Sequence, residues 1–304
     1  MEKPLVALFA SIIAVSFAAI FVISCNAPPL SIAFFRIFFT TLILLPFVIW
    51  HKKTRREIQQ LSQSTLGMMI IIGIILAAHF ALWITSLTKT SVASSVILVT
   101  AHPMLVGPIA YFLLKEKLSK TNSLGIGISV AGVIILVYGN YGFTAMGLDT
   151  LEGNILAMLG GVAAGLYILG GRKLRKKISV LTYAFIVYSI ASIVLLFLCL
   201  VFNAPLYGLR STDYQLIFLM AITAGIFGHT LYNWSLKYIN ASLASVALLG
   251  EPIGSSVLAY LIPSINQSPS LFTLGGGSII LLGIYLTSKQ MNGPRLSIDS
   301  EIQK

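Results

Sequence analysis

The sequence predicts an all-α membrane protein with ten transmembrane helices, arranged as two inverted five-helix repeats around a central cavity. The first observation behind this prediction is composition: 57% of the 304 residues are hydrophobic, only 10% are charged, and the mean hydropathy is +0.93. Soluble domains carry about 25% charged residues, so lipid must be the solvent for most of this surface. The second observation is a series of long apolar segments, and the third is an internal repeat.

The apolar segments define the spans. A membrane-crossing helix needs about 20 mostly apolar residues, and each half of the chain holds five such segments. The predicted spans are 4–24, 29–50, 66–87, 91–114, 122–140, 153–171, 180–202, 214–236, 242–262 and 271–288. The connections between them are short, which leaves no room for a soluble domain.

Basic residues predict the orientation. With a cytoplasmic N-terminus, seventeen Lys and Arg lie on the cytoplasmic side, only Lys89 and Arg210 lie outside, and Arg36 is inside a span. This is the positive-inside pattern of membrane proteins. The formal charge of +11 comes from short basic clusters between apolar runs, so it indicates topology and no nucleic-acid partner. We expect a multi-pass plasma-membrane protein with both termini in the cytoplasm and the lipid bilayer as its surroundings.

Residues 78–114 and 228–262 repeat one pattern at an offset of about 150 residues. The matching pieces are Ala78-His79 with Gly228-His229, Ser91-Val92-Ala93-Ser94 with Ser242-Leu243-Ala244-Ser245, and Ala101-His102-Pro103 with Gly250-Glu251-Pro252. Because each half has an odd number of spans, the second copy enters the bilayer from the opposite side. Such inverted repeats are typical of secondary transporters. The predicted units are a first repeat over 1–140, a second over 141–290, and a disordered cytoplasmic tail over 291–304.

Ionisable residues inside a span indicate function, because their burial is costly. Glu251 and His102 each precede a proline, Pro252 or Pro103, in the middle of a span. Proline kinks a helix and frees a carbonyl about one turn earlier. One interpretation is a proton-coupling or substrate-amine site with Glu251 as the acid and His102 as a second coupling residue. The alternative is a structural Glu bonded to the freed carbonyls or to a neighbouring helix.

Aromatic and hydrogen-bonding residues repeat on matching helix faces. His79 and Trp83 lie four residues apart, and His229, Tyr232 and Asn233 follow the same i, i+3, i+4 pattern in the second copy. This pairing predicts a wall that stacks on or orients a small organic substrate. The alternatives are interface anchoring by Trp83 and helix bridging by His. The predicted substrate-cavity residues are His79, Trp83, His102, Tyr232, Asn233 and Glu251.

A few further residues are weaker candidates. Arg36 lies about two turns into its span and is expected to snorkel outward, with pairing to an anionic substrate as the alternative. Tyr167 and Ser16 occupy corresponding stretches of the first helix in each half. Cys25 and Cys199 are the only cysteines, and the sequence leaves open whether they pair.

Several enzyme signatures are missing from the sequence. There is no Walker loop, no His-Glu-x-x-His, no Gly-x-Ser-x-Gly and no carboxylate cluster for a metal. We therefore predict no enzymatic activity, no cofactor and no metal.

Several stretches together resemble one known family. They are 29–36 at the start of the second span, 91–103, 114–119 followed by Gly125, 164–167, and 249–252. These stretches resemble the drug/metabolite transporter superfamily, in the branch built from two EamA domains, over about residues 4–290. The resemblance implies a ten-helix basket whose cavity is lined by helices 1, 3, 4, 6, 8 and 9, and export of amino acids, related metabolites or drugs on the proton gradient. Two stretches depart from the family pattern, 15–17 in the first span and the loop 263–269.

Together these observations predict a secondary active transporter that exports a small-molecule substrate, such as an amino acid or a related amphiphilic compound, by alternating access with protons as coupling ion. One alternative is a nucleotide-sugar or phosphate-ester antiporter, which would want several cavity Lys or Arg where only Arg36 is available. A second alternative is a membrane-embedded lipid-acting enzyme, which one Glu and scattered His support poorly. A sensor or a passive channel is the third.

Overall fold

The computed structural model describes residues 2–90, 92–116, 119–141, 148–262 and 271–289. All regular secondary structure in these ranges is helical. The helices are α1 (Glu2–Ser24), α2 (Pro29–Trp50), α3 (Lys52–Gln59), α4 (Gln63–Ser86), α5 (Val92–Thr100), α6 (Pro103–Leu114), α7 (Lys120–Tyr141), α8 (Leu148–Arg175), α9 (Val180–Val201), α10 (Ser211–Met220), α11 (Leu231–Ser235), α12 (Ala241–Ala247), α13 (Gly250–Leu261) and α14 (Leu271–Lys289), with a π-helical segment (Ala221–Thr230) between α10 and α11. The predicted tail and the loop 263–269 lie outside the described residues.

Six helices of the described chain are long and apolar enough to cross a membrane. They are Lys3–Ser24, Pro29–Trp50, Gln63–Ser86, Leu151–Arg175, Val180–Val201 and Ser211–Ser235. Three shorter apolar helices, Leu98–Leu114, Lys120–Ile135 and Leu274–Thr287, coincide with further predicted spans, and the predicted span 242–262 is divided between α12 and α13. The protein is thus an all-α, multi-pass membrane protein.

The two segments that contain the repeated prolines are broken helices. Between α5 and α6, Ala101 and His102 form a turn, and Pro103 opens α6, a position where its missing N–H costs no helical hydrogen bond. Pro252 lies in the first turn of α13, just after a second break. At both positions the α-helical hydrogen bonding is interrupted while the backbone stays right-handed helical, and His102 and Glu251 lie at the beginnings of the helices that follow.

Hydrogen bonds between connections group the helix ends into two faces. At one face, which we call the basic face, the Ser235 hydroxyl donates to the Pro4 carbonyl (3.2 Å), and Glu57 accepts from the Ser179 backbone N–H (2.9 Å). At the opposite face, the Ser31 hydroxyl donates to the Pro205 carbonyl (2.7 Å). Successive long helices therefore run in alternating directions between the two faces.

Capping residues begin several helices at the basic face. The side chains of Ser62, Ser179 and Asn240 accept hydrogen bonds from backbone N–H groups in the first turns of α4, α9 and α12. Each satisfies an N–H that the helix itself leaves unpaired. The sequence marks these starts with residue types that favour caps.

The short helix α3 is an addition to the prediction, which treated 51–65 as a connection. It is polar and basic, so no apolar segment signals it. Glu57 fastens it to α9 through the Ser179 and Thr182 side chains. Burial acts to raise the pKa of the Glu57 carboxyl, but the hydrogen bonds from Ser179 and Thr182 outweigh burial and lower the pKa.

Packing between the halves follows a two-fold pattern. The second spans of each half, α2 and α9, pack together, and so do the fifth spans, α7 and α14. The first span of each half packs against the third span of the other, through α1 with the π-helical segment and α8 with α4. Exchanging the halves maps this set of contacts onto itself.

The contact between α7 and α14 depends on glycine. A Cβ at Gly125 would lie 2.7 Å from the Gly283 carbonyl oxygen, and a Cβ at Gly283 would lie 2.6 Å from the Gly125 oxygen. Both distances are too short for a side chain. In lipid, such close backbone contact supplies packing where the hydrophobic effect between helices is absent.

Candidate functional site

A small cavity lies where helices of both halves meet. Its walls are formed by Val15, Ala18, Arg36, His79, Trp83, Val99, Thr100, His102, Ala164, Tyr167, Ile168, His229, Tyr232, Leu248 and Glu251. Its free volume is about 50 Å³, room for only a few water molecules at roughly 10–15 Å³ each. Sites for small organic ligands measure roughly 300–1,000 Å³. The cavity in this structure is therefore too small for such a ligand, and helices would have to move apart to admit one.

The structure brings five of the six predicted cavity residues to this one place. His79 and Trp83 come from α4, His102 from the break before α6, Tyr232 from α11 and Glu251 from α13. Trp83 is only 3% exposed, so it lies in the wall and is not an interface anchor. The interface-anchor alternative for Trp83 is thus wrong.

Asn233 is placed differently from its prediction. Its side chain is fully buried behind the wall, where its Nδ2 donates to the hydroxyl oxygens of Tyr167 (2.5 Å) and Tyr188 (3.1 Å). The predicted face assumed an α-helical register from His229 onward. Residues Leu231–Ser235 are indeed α-helical, but of Tyr232 and Asn233 only Tyr232 lines the cavity.

Arg36 is the main correction to the sequence prediction. It does not snorkel outward: it is 1% exposed and lines the cavity. Its guanidinium carbon lies 4.3 Å from the centre of the Phe80 ring and 5.8 Å from that of Trp83, so aromatic faces take the place of water around the cation. Its Nε and Nη1 are buried without a hydrogen-bond partner.

Glu251 is the acidic group of the cavity. Among the residues that the structure describes, its carboxylate has no ion-pair or hydrogen-bond partner, while its backbone carbonyl accepts a long hydrogen bond from Ser16 (3.4 Å). Within the described residues, the side chain makes none of the bonds to freed carbonyls or to a neighbouring helix that a structural role would require. Its position in the first turn of α13 suits an anion, because helix N-termini carry partial positive charge.

Two of the three cavity histidines, His79 and His102, are held by neighbours in the other half. Nδ1 of His79 lies 3.0 Å from the Gly160 carbonyl oxygen and donates to it, which assigns the tautomer and leaves Nε2 as an acceptor. The His79 ring is nearly parallel to that of Trp83, with 6.1 Å between centres. Nδ1 of His102 lies 2.6 Å from the Ser245 hydroxyl.

Below the cavity, three polar groups tie the halves together at the basic face. Arg172 donates from Nε to Glu116 (2.8 Å) and from Nη1 to the Leu236 carbonyl (2.7 Å), and Glu116 also accepts from the Ala241 N–H (2.8 Å). We call Glu116, Arg172 and Ala241 the latch. Glu116 belongs to the first half and the other two residues to the second, so separating the halves here breaks the two contacts of Glu116, with Arg172 and with Ala241.

Arg36, Tyr167 and His229 line the cavity although the sequence analysis did not rank them with the main candidates. One available signal was that Arg36 is the only charged residue within its span. Cys25 and Cys199 are free thiols and do not pair. No group of three or more His, Cys, Asp or Glu that could hold a metal ion occurs in the described ranges.

Comparisons with known families and curated proteins match this chain to transporters. A model of the EamA-like transporter family matches residues 4–138 and 151–289. The uncharacterized transporter YyaM of Bacillus subtilis is 24% identical, covering 84% of this chain and 81% of that protein. An uncharacterized transporter of Archaeoglobus fulgidus is also 24% identical, covering 87% of this chain and 89% of that protein.

Two further matches extend the comparison. The S-adenosylmethionine uptake transporter of Rickettsia conorii is 25% identical, covering 86% of this chain and 84% of that protein. A solved crystal structure superposes with a TM-score of 0.77 at 16% identity, covering 95% of this chain and 97% of that one. At that identity the superposition establishes the fold alone.

Proposed function

The chain belongs to the EamA-like transporter family of the drug/metabolite transporter superfamily, and we propose that it exports a small, amphiphilic, amino-acid-like metabolite in exchange for protons. The protein is a membrane transporter and not an enzyme. The observation that carries the proposal is the unpaired Glu251 carboxylate in a cavity shared by both halves, with aromatic rings in the same wall.

The proposed architecture has ten crossings in two inverted repeats, with the termini on the cytoplasmic side of the plasma membrane. The two-fold packing pattern and the alternating helix directions support it. Rocking of one half against the other would open the cavity first to one side and then to the other. The closed cavity fits an intermediate in that cycle, and the latch supports closure on the basic face.

Coupling follows from competition at Glu251. An ionised carboxylate binds the ammonium group of a substrate, whereas a protonated one does not. Proton and substrate therefore occupy the site in turn and move in opposite directions. An inward proton gradient then drives export. His102, at the corresponding position of the repeat, lines the same cavity and is the second candidate for proton coupling.

The substrate class rests on the cavity chemistry. Val15, Ala18 and Ile168 supply apolar surface, and His79, Trp83 and Tyr232 supply rings that stack on a flat group. S-adenosylmethionine, which names a relative, joins an amino-acid group to an adenine ring, and a compound of this type suits such walls. The relative is named for uptake, and a carrier runs in whichever direction the gradients favour.

A phosphate-ester antiporter is disfavoured by the same cavity. Arg36 is the one Lys or Arg among its described lining residues, and Glu251 would repel a dianion. A phosphate ester would need more positive charge than this.

The test is counterflow in proteoliposomes that contain the purified protein, with labelled amino acids, amines and S-adenosylmethionine, with and without a pH gradient. We expect saturable exchange by the wild type. Glu251→Gln should lower the exchange rate about tenfold, the effect of losing one charge-assisted hydrogen bond. It should also reduce the dependence of the rate on the pH gradient. The matched control is Glu152→Gln, an exposed residue paired with Lys89 at the opposite face. Exchange by Glu251→Gln that keeps its rate and its pH dependence would refute proton coupling at this residue.

A further inference from the structure

We propose that Arg36 is the carboxylate subsite of the transporter, so that the substrate is a zwitterion held between Arg36 and Glu251. This inference rests on the proposed function and deepens it by assigning one end of the substrate to each half of the protein. Arg36 belongs to the first half and Glu251 to the second. The Nε and Nη1 atoms of Arg36 are buried in the cavity wall without a hydrogen-bond partner. Such unpaired donors are available to a ligand.

The hydrogen-bonding of the other buried arginines makes Arg36 an exception. Arg175, 2% exposed, donates from Nε to the Asn233 carbonyl (2.9 Å) and from Nη1 to the Ile178 carbonyl. Arg172 bonds to Glu116 and to two backbone carbonyls. This fold thus satisfies arginines that serve packing. The guanidinium of Arg36 has no hydrogen bond to any group that the structure describes, and two of its nitrogens are fully enclosed.

An unpaired buried cation is costly, and a protein keeps such a group only where something compensates. The Phe80 and Trp83 rings compensate in part, through cation–π contacts at 4.3 Å and 5.8 Å. Ring faces accept no directed N–H bonds of ordinary strength, so the donors of the guanidinium stay available. A planar carboxylate is the partner that such a fork of donors fits best.

Glu251 explains why the ligand carries both charges. It lines the same cavity as Arg36, and in the described part of the chain the two side chains make no ion pair with each other. A dianion would leave Glu251 opposed by a like charge, and a simple amine would leave Arg36 unpaired. A zwitterion such as an α-amino acid satisfies both groups at once and adds no net charge to a low-dielectric site.

The experiment crosses the two ends of the ligand with the two residues. The probes are L-phenylalanine, L-phenylalaninamide, which lacks the carboxylate, and 3-phenylpropionate, which lacks the ammonium. Binding of each is measured with purified full-length protein in detergent, for the wild type, Arg36→Gln, Arg36→Lys and Glu251→Gln. The control is Arg210→Gln, an exposed arginine at the opposite face that pairs with Asp213. Size-exclusion profiles establish that each variant is folded.

We expect the wild type and Arg210→Gln to bind phenylalanine at least about tenfold more tightly than either analogue, the value of one charge-assisted contact. Arg36→Gln should lose the preference over the amide while binding the amide as the wild type does. Arg36→Lys should keep part of that preference, because it retains the charge without the fork. Glu251→Gln should instead lose the preference over phenylpropionate.

Two results would overturn the inference and leave the proposed transport function standing. One is a wild type that exchanges solutes from the panel but binds phenylalanine and its amide equally. The other is a folded Arg36→Gln that still prefers phenylalanine. If Arg36→Gln does not fold, the inference is tested by two other measurements. These are the preference of the wild type for phenylalanine over its amide and the same preference in Arg36→Lys. A wild type that neither exchanges any panel solute nor binds any probe would refute the inference and the proposed function together.

Discussion

At the scale of single residues, Arg36 and Glu251 depart most from what a membrane interior favours. Each is ionisable, each lines one small cavity, and neither has a hydrogen-bonded or ion-paired side-chain partner in the described part of the chain. Burial of such groups works against folding. This cost to folding is the reason for proposing that both residues serve transport.

If Arg36 serves transport and not the fold, its replacement should not lower the thermal stability of the protein. A buried charge without an ionic partner carries a desolvation cost that no ion pair repays, so replacing it by an apolar side chain of similar length should not destabilise the fold. We therefore expect Arg36→Met to melt at the same temperature as the wild type or several degrees higher in detergent without substrate, while losing substrate binding. Thermal unfolding of both proteins, followed by the fluorescence of a thiol-reactive dye, measures this. A folded Arg36→Met that melts far below the wild type would mean that Arg36 supports the fold.

At the scale of elements, the broken helices position the site. α5 and α6 are separated at His102, and α12 and α13 are separated just before Glu251. Each break brings the start of a helix, with its free N–H groups, to the depth of the cavity.

The latch predicts that the contacts of Glu116 hold the helix ends together at the basic face. Glu116→Gln removes the ion pair with Arg172 and weakens the bond to Ala241, so the basic face should open more often. We expect several-fold faster labelling of a cysteine at position 164, on the cavity wall, by a maleimide in inside-out membrane vesicles. Both native cysteines are replaced by serine beforehand.

Glu152→Gln serves as the matched control, because Glu152 forms an exposed ion pair with Lys89 at the opposite face. Surface pairs of this kind contribute little. Equal labelling in wild type, Glu116→Gln and Glu152→Gln would show that the latch does not limit opening on the basic face.

At the scale of the whole molecule, two halves with matching packing enclose one cavity. The contacts of α1, α2, α7 and their counterparts map onto themselves when the halves are exchanged. Under the proposed alternating-access mechanism, the matching packing would allow one half to rock against the other.

The orientation of the whole molecule is open to a direct test. Because basic residues concentrate at one face, we expect that face to lie in the cytoplasm. Single cysteines at Lys176, on the basic face, and at Tyr207, on the opposite face, are both exposed. In intact cells a membrane-impermeant maleimide should label Tyr207→Cys and spare Lys176→Cys until the cells are permeabilised. The reverse pattern would contradict the predicted topology.

The sequence by itself determined the membrane class, most helix positions and the family, because lipid demands long apolar segments that are visible residue by residue. It also predicted five residues that line the cavity in the structure, because the repeat marks corresponding positions in each half: His79, Trp83, His102, Tyr232 and Glu251. Only the tertiary structure decided that Arg36 is buried against Phe80 and Trp83, and that Asn233 lies behind the wall. Local pattern does not reveal these placements, because they depend on which helices from the two halves meet.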